Sequence, residues 1–194
     1  MKIKQQKMIR AYLTEEFGPE RGDALFAAQD QALMALAENI RDVSPSQEKT
    51  LTQTILPRVA LYRILLDRGF SQEEALACLR KYMMDRVAAK KQASTAKMEK
   101  IPGFYDLYSR IFLKVMGKSD AWKSTQRRGR DDFDVTIQEC LWHRACQENG
   151  CGELCRLFCD VDDVTYGGLR KMGFSRTKTL GYGGDCCDFH FFRR

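Results

Sequence analysis

The chain has 194 residues, 44% of them hydrophobic, which is enough to bury a core and excludes a disordered protein. Its net charge of +6 is the small difference between 32 basic and 26 acidic residues, and a surplus of that size does not indicate a nucleic-acid partner. No stretch approaches the roughly 20 apolar residues of a bilayer span, and the start lacks a secretory signal, so we expect a cytoplasmic protein with no membrane partner.

The first 117 residues are predicted to be helical, because apolar residues recur there at steps of three and four. Pro57 is expected near a helix start or at a kink, since proline cannot donate a backbone hydrogen bond. Ser71 and Glu74 have the spacing of a capping box, which predicts the start of the following helix. We interpret residues 1–117 as a helical scaffold.

Residues 118–131 are predicted to be a charged linker. They include the densest basic run of the chain, KSTQRRGR at residues 123–130, which contains no aromatic residue on which a nucleotide base would stack. We therefore interpret the run as solvated and expect no nucleic acid to bind. A nucleic-acid binder remains an alternative that rests on this run alone.

A strand is predicted directly after the linker, where Phe133, Val135 and Ile137 alternate with polar residues. Two helices are predicted to follow it, at residues 141–149 and 153–163. The second is expected to end at a pair of glycines that follows it.

Two further strands are predicted at residues 174–180 and 186–192, on either side of a glycine-rich connection that closes a hairpin. These elements predict an α+β fold, in which the N-terminal helices pack against a small antiparallel sheet formed by the C-terminal third. We expect residues 132–194 to carry the site and to form one compact domain with the helices.

Seven of the eight cysteines follow residue 131, so the chemistry of the chain is expected in its last third. In a reducing compartment these cysteines indicate thiol chemistry or metal ligation rather than disulfides. They are Cys140, Cys146, Cys151, Cys155, Cys159, Cys186 and Cys187.

If the second of these helices extends over residues 151–163, Cys151, Cys155 and Cys159 recur at every fourth residue and share one face. We interpret Cys151 and Cys155 as small apolar side chains of the core. Cys159 differs because a cluster of carboxylates surrounds it, and such a cluster is costly unless it is solvated or binds a cation. Cys159 and Asp163 are therefore candidate functional residues.

In the last strand, Cys187 shares a face with two phenylalanines, whereas Cys186, Asp188 and His190 share the other face. Which of the two adjacent cysteines faces the site stays open. The chain has two histidines, and His190, beside Asp188, is the better candidate for proton transfer than His143.

The segments FCDVDDVTYGGL and FSRTKTLGYGGDCCDFHFF resemble the signature region of the L-2-amino-thiazoline-4-carboxylic acid hydrolase family, over about residues 133–192. The resemblance implies a bacterial hydrolase that opens the 2-aminothiazoline ring, a cyclic isothiourea, to a carbamoyl-cysteine. The implied partner is a small-molecule substrate.

With this resemblance, the residues suggest a mechanism that uses a thiolate and carboxylates. A thiolate at Cys159 or Cys187 attacks the amidine carbon, and water later releases the covalent intermediate. The remaining candidate roles are an amidinium held by Asp162, Asp163 and Asp188, protons carried by His190, a substrate carboxylate bound by Arg176, and substrate-binding positions at Gly184 and Asp185.

Three alternatives stay open. We expect no cofactor, but a divalent metal such as zinc or manganese, held by the same aspartates and cysteines, is the alternative way to activate water. A non-catalytic sensor of small molecules or metals on the same fold is the alternative to an enzyme. For assembly, a homodimer stays open.

Overall fold

The computed structural model describes residues 4–194, without the side chain of Lys4. The N-terminal part is helical, as predicted, and its elements are α1 (Lys4–Phe17), α2 (Pro19–Glu38), α3 (Pro45–Thr50), α4 (Leu56–Asp67), α5 (Gln72–Tyr82), α6 (Ala89–Met98) and α7 (Phe104–Lys118). Two π-helical segments interrupt this series, Leu51–Ile55 before α4 and Met83–Ala88 before α6. None of the helices in the described part of the chain is long and apolar enough to cross a membrane.

The C-terminal third contains a four-stranded antiparallel sheet with the strand order β1-β2-β4-β3. Its elements are β1 (Trp122–Arg128), β2 (Asp132–Cys140), α8 (Leu141–Glu148), α9 (Cys155–Gly167), β3 (Met172–Ser175) and β4 (Cys187–Arg193). The predicted fold class, helices packed against a small antiparallel sheet, is confirmed.

The prediction that residues 118–131 are a linker is wrong for residues 122–128, which form the edge strand β1. Most of its side chains are exposed, so it lacks the alternation of apolar residues that reveals a half-buried strand. Cross-strand ion pairs to β2 take the place of that alternation, and they include Lys123 with Glu139 and Arg127 with Asp132.

The strand predicted at residues 174–180 ends earlier than expected, at Ser175, the last residue of β3. The carboxylate of Asp188 accepts hydrogen bonds from the backbone N–H groups of Thr177 and Lys178, at 3.0 and 2.8 Å. The chain therefore leaves the sheet there and continues as a loop at residues 176–186, which contains the 3₁₀ turn Leu180–Tyr182. We call it the β3–β4 loop.

Two apolar clusters hold the fold together. The first lies among the helices of the N-terminal half and extends to the buried faces of α8 and α9. The second lies between α7 and the inner face of the sheet, where the rings of Phe133 and Phe191 stack with centroids 4.6 Å apart. Helix α9 contacts both the helical half and the sheet, and its residues therefore line the space between these two parts of the fold.

The predicted capping box at the start of α5 is present, since Ser71 accepts from the Glu74 N–H and Glu74 accepts from the Ser71 N–H. We expect Ser71→Ala to lower the free energy of unfolding by about 1 kcal/mol, because it leaves an N–H of the first turn without its acceptor. Urea denaturation measures this change. Ser94→Ala, an exposed position within α6, is the matched control and should leave the stability equal or slightly higher. Equal losses in both variants would contradict the assignment.

Candidate active site

A cavity of about 410 Å³ lies between the helical half and the sheet. Its apolar wall includes Phe112, Phe158, Phe189 and the stacked rings of Trp122 and Trp142, whose centroids are 5.1 Å apart. Its polar and titratable wall consists of Gln5, Thr54, Arg58, Lys91, Cys140, His143, Cys155, Cys159, Asp162, Tyr166, Thr179 and Cys187. An apolar enclosure with a few convergent polar groups is typical of a small-molecule site.

Two thiols on this wall share one hydroxyl group. The Oγ1 atom of Thr179 lies 3.1 Å from Sγ of Cys159 on α9 and 3.1 Å from Sγ of Cys187 on β4. The backbone N–H of Leu180 also donates to the Cys187 sulfur, at 3.4 Å. The structure therefore brings together two cysteines that the sequence proposed separately, and it places Cys187, not Cys186, on the cavity.

The arrangement makes the two thiols unequal, because a hydroxyl group has one proton to donate. Contact with the Cys155 thiol and burial both raise the pKa of Cys159, which therefore keeps its proton. A protonated Cys159 does not need the Thr179 proton, so the Thr179 hydroxyl can donate to Cys187. With the Leu180 N–H, this gives a thiolate at Cys187 two hydrogen-bond donors.

Two further thiols line the cavity. Burial raises the pKa of Cys140 to about 12, so this thiol stays protonated. Cys155 belongs to the apolar core, as its position in the sequence predicts, but it also reaches the cavity wall. Hydrogen bonds from the neighbouring Cys146 and Cys159 thiols lower the pKa of Cys155. All eight cysteines are free.

The carboxylate of Asp162 faces the cavity and makes no hydrogen bond with the described part of the chain. Its burial among apolar groups raises its pKa to about 6, against the smaller opposing effects of Lys91 and Arg176. A carboxylate in this position is costly to ionise and lacks a partner. A bound cation would supply that partner.

Arg58 is the cavity residue that the sequence analysis missed. It lies in the first turn of α4, directly after the π-helical segment Leu51–Ile55, and is 2% exposed. Its Nη1 atom donates to the Thr54 carbonyl oxygen, and its guanidinium lies over the ring of Phe158. The available signal was a single charge inside the apolar run ILPRVAL.

Asp163 and Arg176 lie outside the cavity lining, although both were candidate site residues. They form an ion pair at 2.5 Å, and the same Nη2 atom of Arg176 donates to the Cys159 carbonyl oxygen at 3.1 Å. This side chain therefore joins the β3–β4 loop to α9 at the residue that carries one of the thiols. Its charge is already paired with Asp163.

Asp188, Gly184 and Asp185 also lie outside the cavity lining. Asp188 holds the backbone of the β3–β4 loop, as described above, and Asp185 forms an exposed ion pair with Lys178 at 2.6 Å. Gly184 packs tightly against the backbone of Thr179, to whose carbonyl oxygen it donates at 3.0 Å. These residues shape the loop that carries Thr179.

The sequence favoured His190 over His143 as the candidate for proton transfer, but it is His143 that lines the cavity. His190 points to the other face of the sheet, where its Nδ1 lies 2.6 Å from Asp134, whereas His143 on α8 lines the cavity. His190, Asp134 and Asp132 form the one group of three metal-ligating side chains found close together in residues 4–194. Arg127 already forms ion pairs with both carboxylates, so its guanidinium neutralises the group without a metal ion.

The contact between the β3–β4 loop and α9 requires a glycine. A Cβ atom at Gly181 would lie 2.7 Å from the Cys159 sulfur and 3.2 Å from the Cys155 carbonyl oxygen, which is closer than real side chains pack. The absence of a side chain at Gly181 therefore allows the loop to bring Thr179 against Cys159.

This fold and this site define an α+β protein with a largely apolar cavity between its helices and its sheet. A sequence model of the L-2-amino-thiazoline-4-carboxylic acid hydrolase family matches residues 47–191, about three quarters of the chain, and the chain belongs to this family. The family suggested by the sequence motifs is thereby confirmed.

Comparison with curated proteins gives no match. Among solved structures, the chain is similar to one titled "Crystal structure of Fe(II) unliganded H-NOX protein from K. algicida", at 10% identity and a TM-score of 0.33, over 100% of this chain and 97% of that chain. A TM-score this low carries no argument about fold or function.

We expect Asp162→Asn to stabilise the ligand-free protein at pH 8, by on the order of 2 kcal/mol, and to have little effect at pH 4. The pKa of Asp162 is higher in the folded than in the unfolded chain, so the wild type loses stability as the pH rises from about 4 through the folded value near 6. Urea denaturation of both proteins at the two pH values measures the difference. Equal effects at pH 4 and pH 8 would contradict the assignment.

We expect Gly181→Ala to lower the free energy of unfolding by about 1–3 kcal/mol, because the added methyl group overlaps with the Cys159 sulfur. Gly167→Ala is the matched control, since nothing lies within 4 Å of an added Cβ atom there. Thermal unfolding of the two variants provides the measurement. An alanine tolerated equally at both positions would show that the loop can move away from α9.

Proposed function

We propose that the protein hydrolyses a small cyclic amidine or isothiourea such as L-2-amino-thiazoline-4-carboxylate, and opens the ring to a carbamoyl-cysteine. One observation carries the proposal: in a member of this family, Cys159 and Cys187 share the Thr179 hydroxyl on the wall of an apolar cavity that also contains the unpaired carboxylate of Asp162. The cavity volume of about 410 Å³ lies within the range of small-molecule sites, roughly 300–1,000 Å³.

Asp162 is the group that we assign to the amidine. A protonated 2-aminothiazoline presents two N–H groups on a delocalised cation, which a carboxylate binds by charge-assisted hydrogen bonds. Asp163 and Asp188, the other carboxylates that the sequence offered, are occupied by Arg176 and by the β3–β4 loop backbone. Asp162 has no such partner in the described part of the chain, and a bound amidinium would offset the cost of its ionisation.

Cys187 is the nucleophile that we propose. Thr179 Oγ1 lies 3.1 Å from its sulfur and the Leu180 N–H donates to it at 3.4 Å, so both groups can stabilise a thiolate there, while Cys159 stays protonated. The sulfur attacks the amidine carbon between the ring nitrogen and the ring sulfur, and the C=N electron pair moves onto nitrogen.

Collapse of this tetrahedral adduct breaks a ring bond. If the C–S bond breaks, the substrate sulfur leaves as a thiol and the enzyme holds a thiouronium. Water then adds to the same carbon and expels the Cys187 thiolate, which leaves N-carbamoyl-cysteine. If the ring C–N bond breaks instead, the same two steps give S-carbamoyl-cysteine. Either route consumes one water molecule and restores the enzyme.

His143 replaces His190 as the proposed proton carrier, because it lines the cavity and His190 does not. An imidazole exchanges protons readily near neutral pH, and the reaction requires a proton for the departing ring atom and a base for the attacking water. None of these steps uses a metal ion. Among residues 4–194, the one close group of three metal-ligating side chains lies on the other face of the sheet.

Incubation of the purified protein with L-2-amino-thiazoline-4-carboxylate, followed by mass spectrometry, tests the proposal. We expect conversion to a carbamoyl-cysteine and a covalent adduct on the Cys187 peptide after rapid quenching. Cys187→Ala should lower kcat by about 10³-fold or more, because it removes the bond-forming atom.

Cys186→Ala is the matched control for this experiment, since that thiol is adjacent and buried but does not line the cavity. It should keep the activity of the wild type. Loss of turnover in Cys159→Ala with full turnover in Cys187→Ala would reverse the assignment of the nucleophile. No product with the wild type, with or without added divalent metal, would reject the hydrolase and favour a sensor that binds small molecules.

A further inference from the structure

Arg58 carries a buried positive charge that no acidic side chain of the described residues neutralises. It is 2% exposed, and no carboxylate of residues 4–194 lies within ion-pairing distance. Its Nε atom is buried without a hydrogen-bond partner, and its one hydrogen bond to the described residues runs from Nη1 to the Thr54 carbonyl oxygen. Burial lowers the pKa of Arg58, but a guanidinium remains charged near neutral pH.

Such a charge is costly for the fold. A buried ion without a partner loses its hydration and gains little in return, and proteins normally pair it or replace it by an apolar side chain. The contrast with Arg176 is direct, because that side chain is also nearly buried but is paired with Asp163. The stability of the ligand-free protein therefore does not explain why an arginine occupies position 58.

The place of Arg58 in the cavity indicates what would neutralise it. Its guanidinium lies on the wall, over the ring of Phe158, and a ligand in the cavity can therefore contact it. Lys91, the other lysine or arginine of the described lining, is exposed, so water already solvates its charge. A small anion on the ligand is the partner that Arg58 lacks.

We propose that Arg58 binds the carboxylate of the substrate, so that the cavity selects small molecules with an anionic group for Arg58 and a cationic amidine for Asp162. The inference rests on the proposed function for the identity of the substrate and deepens it by giving its carboxylate a binding residue. It assigns to Arg58 the role that the sequence had suggested for Arg176, whose charge is already paired with Asp163. Arginine suits this role because its planar N–H groups match a carboxylate.

The kinetic test compares two substrates that differ only in the carboxylate, L-2-amino-thiazoline-4-carboxylate and 2-amino-2-thiazoline. For Arg58→Met we expect kcat/KM to fall by about 10²-fold with the first and to stay the same with the second. Arg63→Met is the matched control, since Arg63 lies on the same helix but donates to the Asn149 carbonyl oxygen and does not line the cavity. It should leave the ratio of the two kcat/KM values unchanged.

The binding test does not depend on turnover. Calorimetry with thiazolidine-4-carboxylate and thiazolidine, which lack the reactive C=N bond, measures the contribution of the carboxylate to affinity. We expect the wild type to bind the first at least about 10-fold more tightly than the second, and Arg58→Met to bind both equally. Arg58→Lys, which keeps the charge but not the planar group, should retain part of the preference and serves if the methionine variant does not fold.

Thermal unfolding of the ligand-free proteins separates this role from a structural one. If Arg58 serves the ligand, Arg58→Met should unfold at the same temperature as the wild type or higher, because the variant removes an unpaired buried charge. A lower unfolding temperature together with an equal loss of activity on both substrates would overturn the proposal.

Different results would reject the hydrolase activity and the anion site at Arg58. If the wild type hydrolyses neither compound but binds thiazolidine-4-carboxylate through Arg58, the anion site stands and the hydrolase does not. If the wild type hydrolyses both substrates equally well, or Arg58→Met keeps the wild-type preference for the carboxylate, the hydrolase stands and Arg58 is not its anion site. A wild type that shows no preference for the carboxylate in either test also overturns the assignment of Arg58.

Discussion

The contact between α9 and the β3–β4 loop is the interaction on which the site depends. It brings a residue of a helix, Cys159, against a residue of a loop, Thr179, and the sheet supplies Cys187 on the other side of the same hydroxyl. The contact is close enough to exclude a side chain at Gly181, and Arg176 secures it through the Cys159 carbonyl oxygen. If the loop moved away, the thiols would lose the group that makes them unequal, and one wall of the cavity would open.

The contact between α9 and the loop stabilises the site, whereas two charged side chains of the cavity lower the stability of the ligand-free protein. Asp162 and Arg58 face the same apolar space, yet each lacks an ionic partner within the described part of the chain. Both are costly in the empty protein, since an interior of low polarity disfavours a charge that is neither solvated nor paired. A substrate with a cation at one end and an anion at the other would offset both costs on binding. Under the proposed function, part of the stability of the fold is given up for recognition.

The sequence determined the candidate site best where local spacing decides which face a residue occupies. The four-residue repeat that contains Cys155 and Cys159 placed both on one side of α9, and strand alternation limited the cavity-facing thiol of the last strand to Cys186 or Cys187. The sequence also suggested that Asp188 holds the substrate amidinium, but the Asp188 carboxylate accepts hydrogen bonds from backbone N–H groups of the loop. Residue type and spacing do not show whether a carboxylate is already occupied.

The sequence by itself determined the helical N-terminal half, the strands β2 and β4, the capping box and the family, because periodic burial, local hydrogen bonds and motifs depend on neighbours along the chain. Tertiary structure alone decided the edge strand β1, whose polar side chains pair across the sheet, and the choice of Cys187 over Cys186. It also decided that Arg58 and Thr179 belong to the site. These residues come from elements far apart in the chain, and only the packing of the helices against the sheet brings them to one cavity.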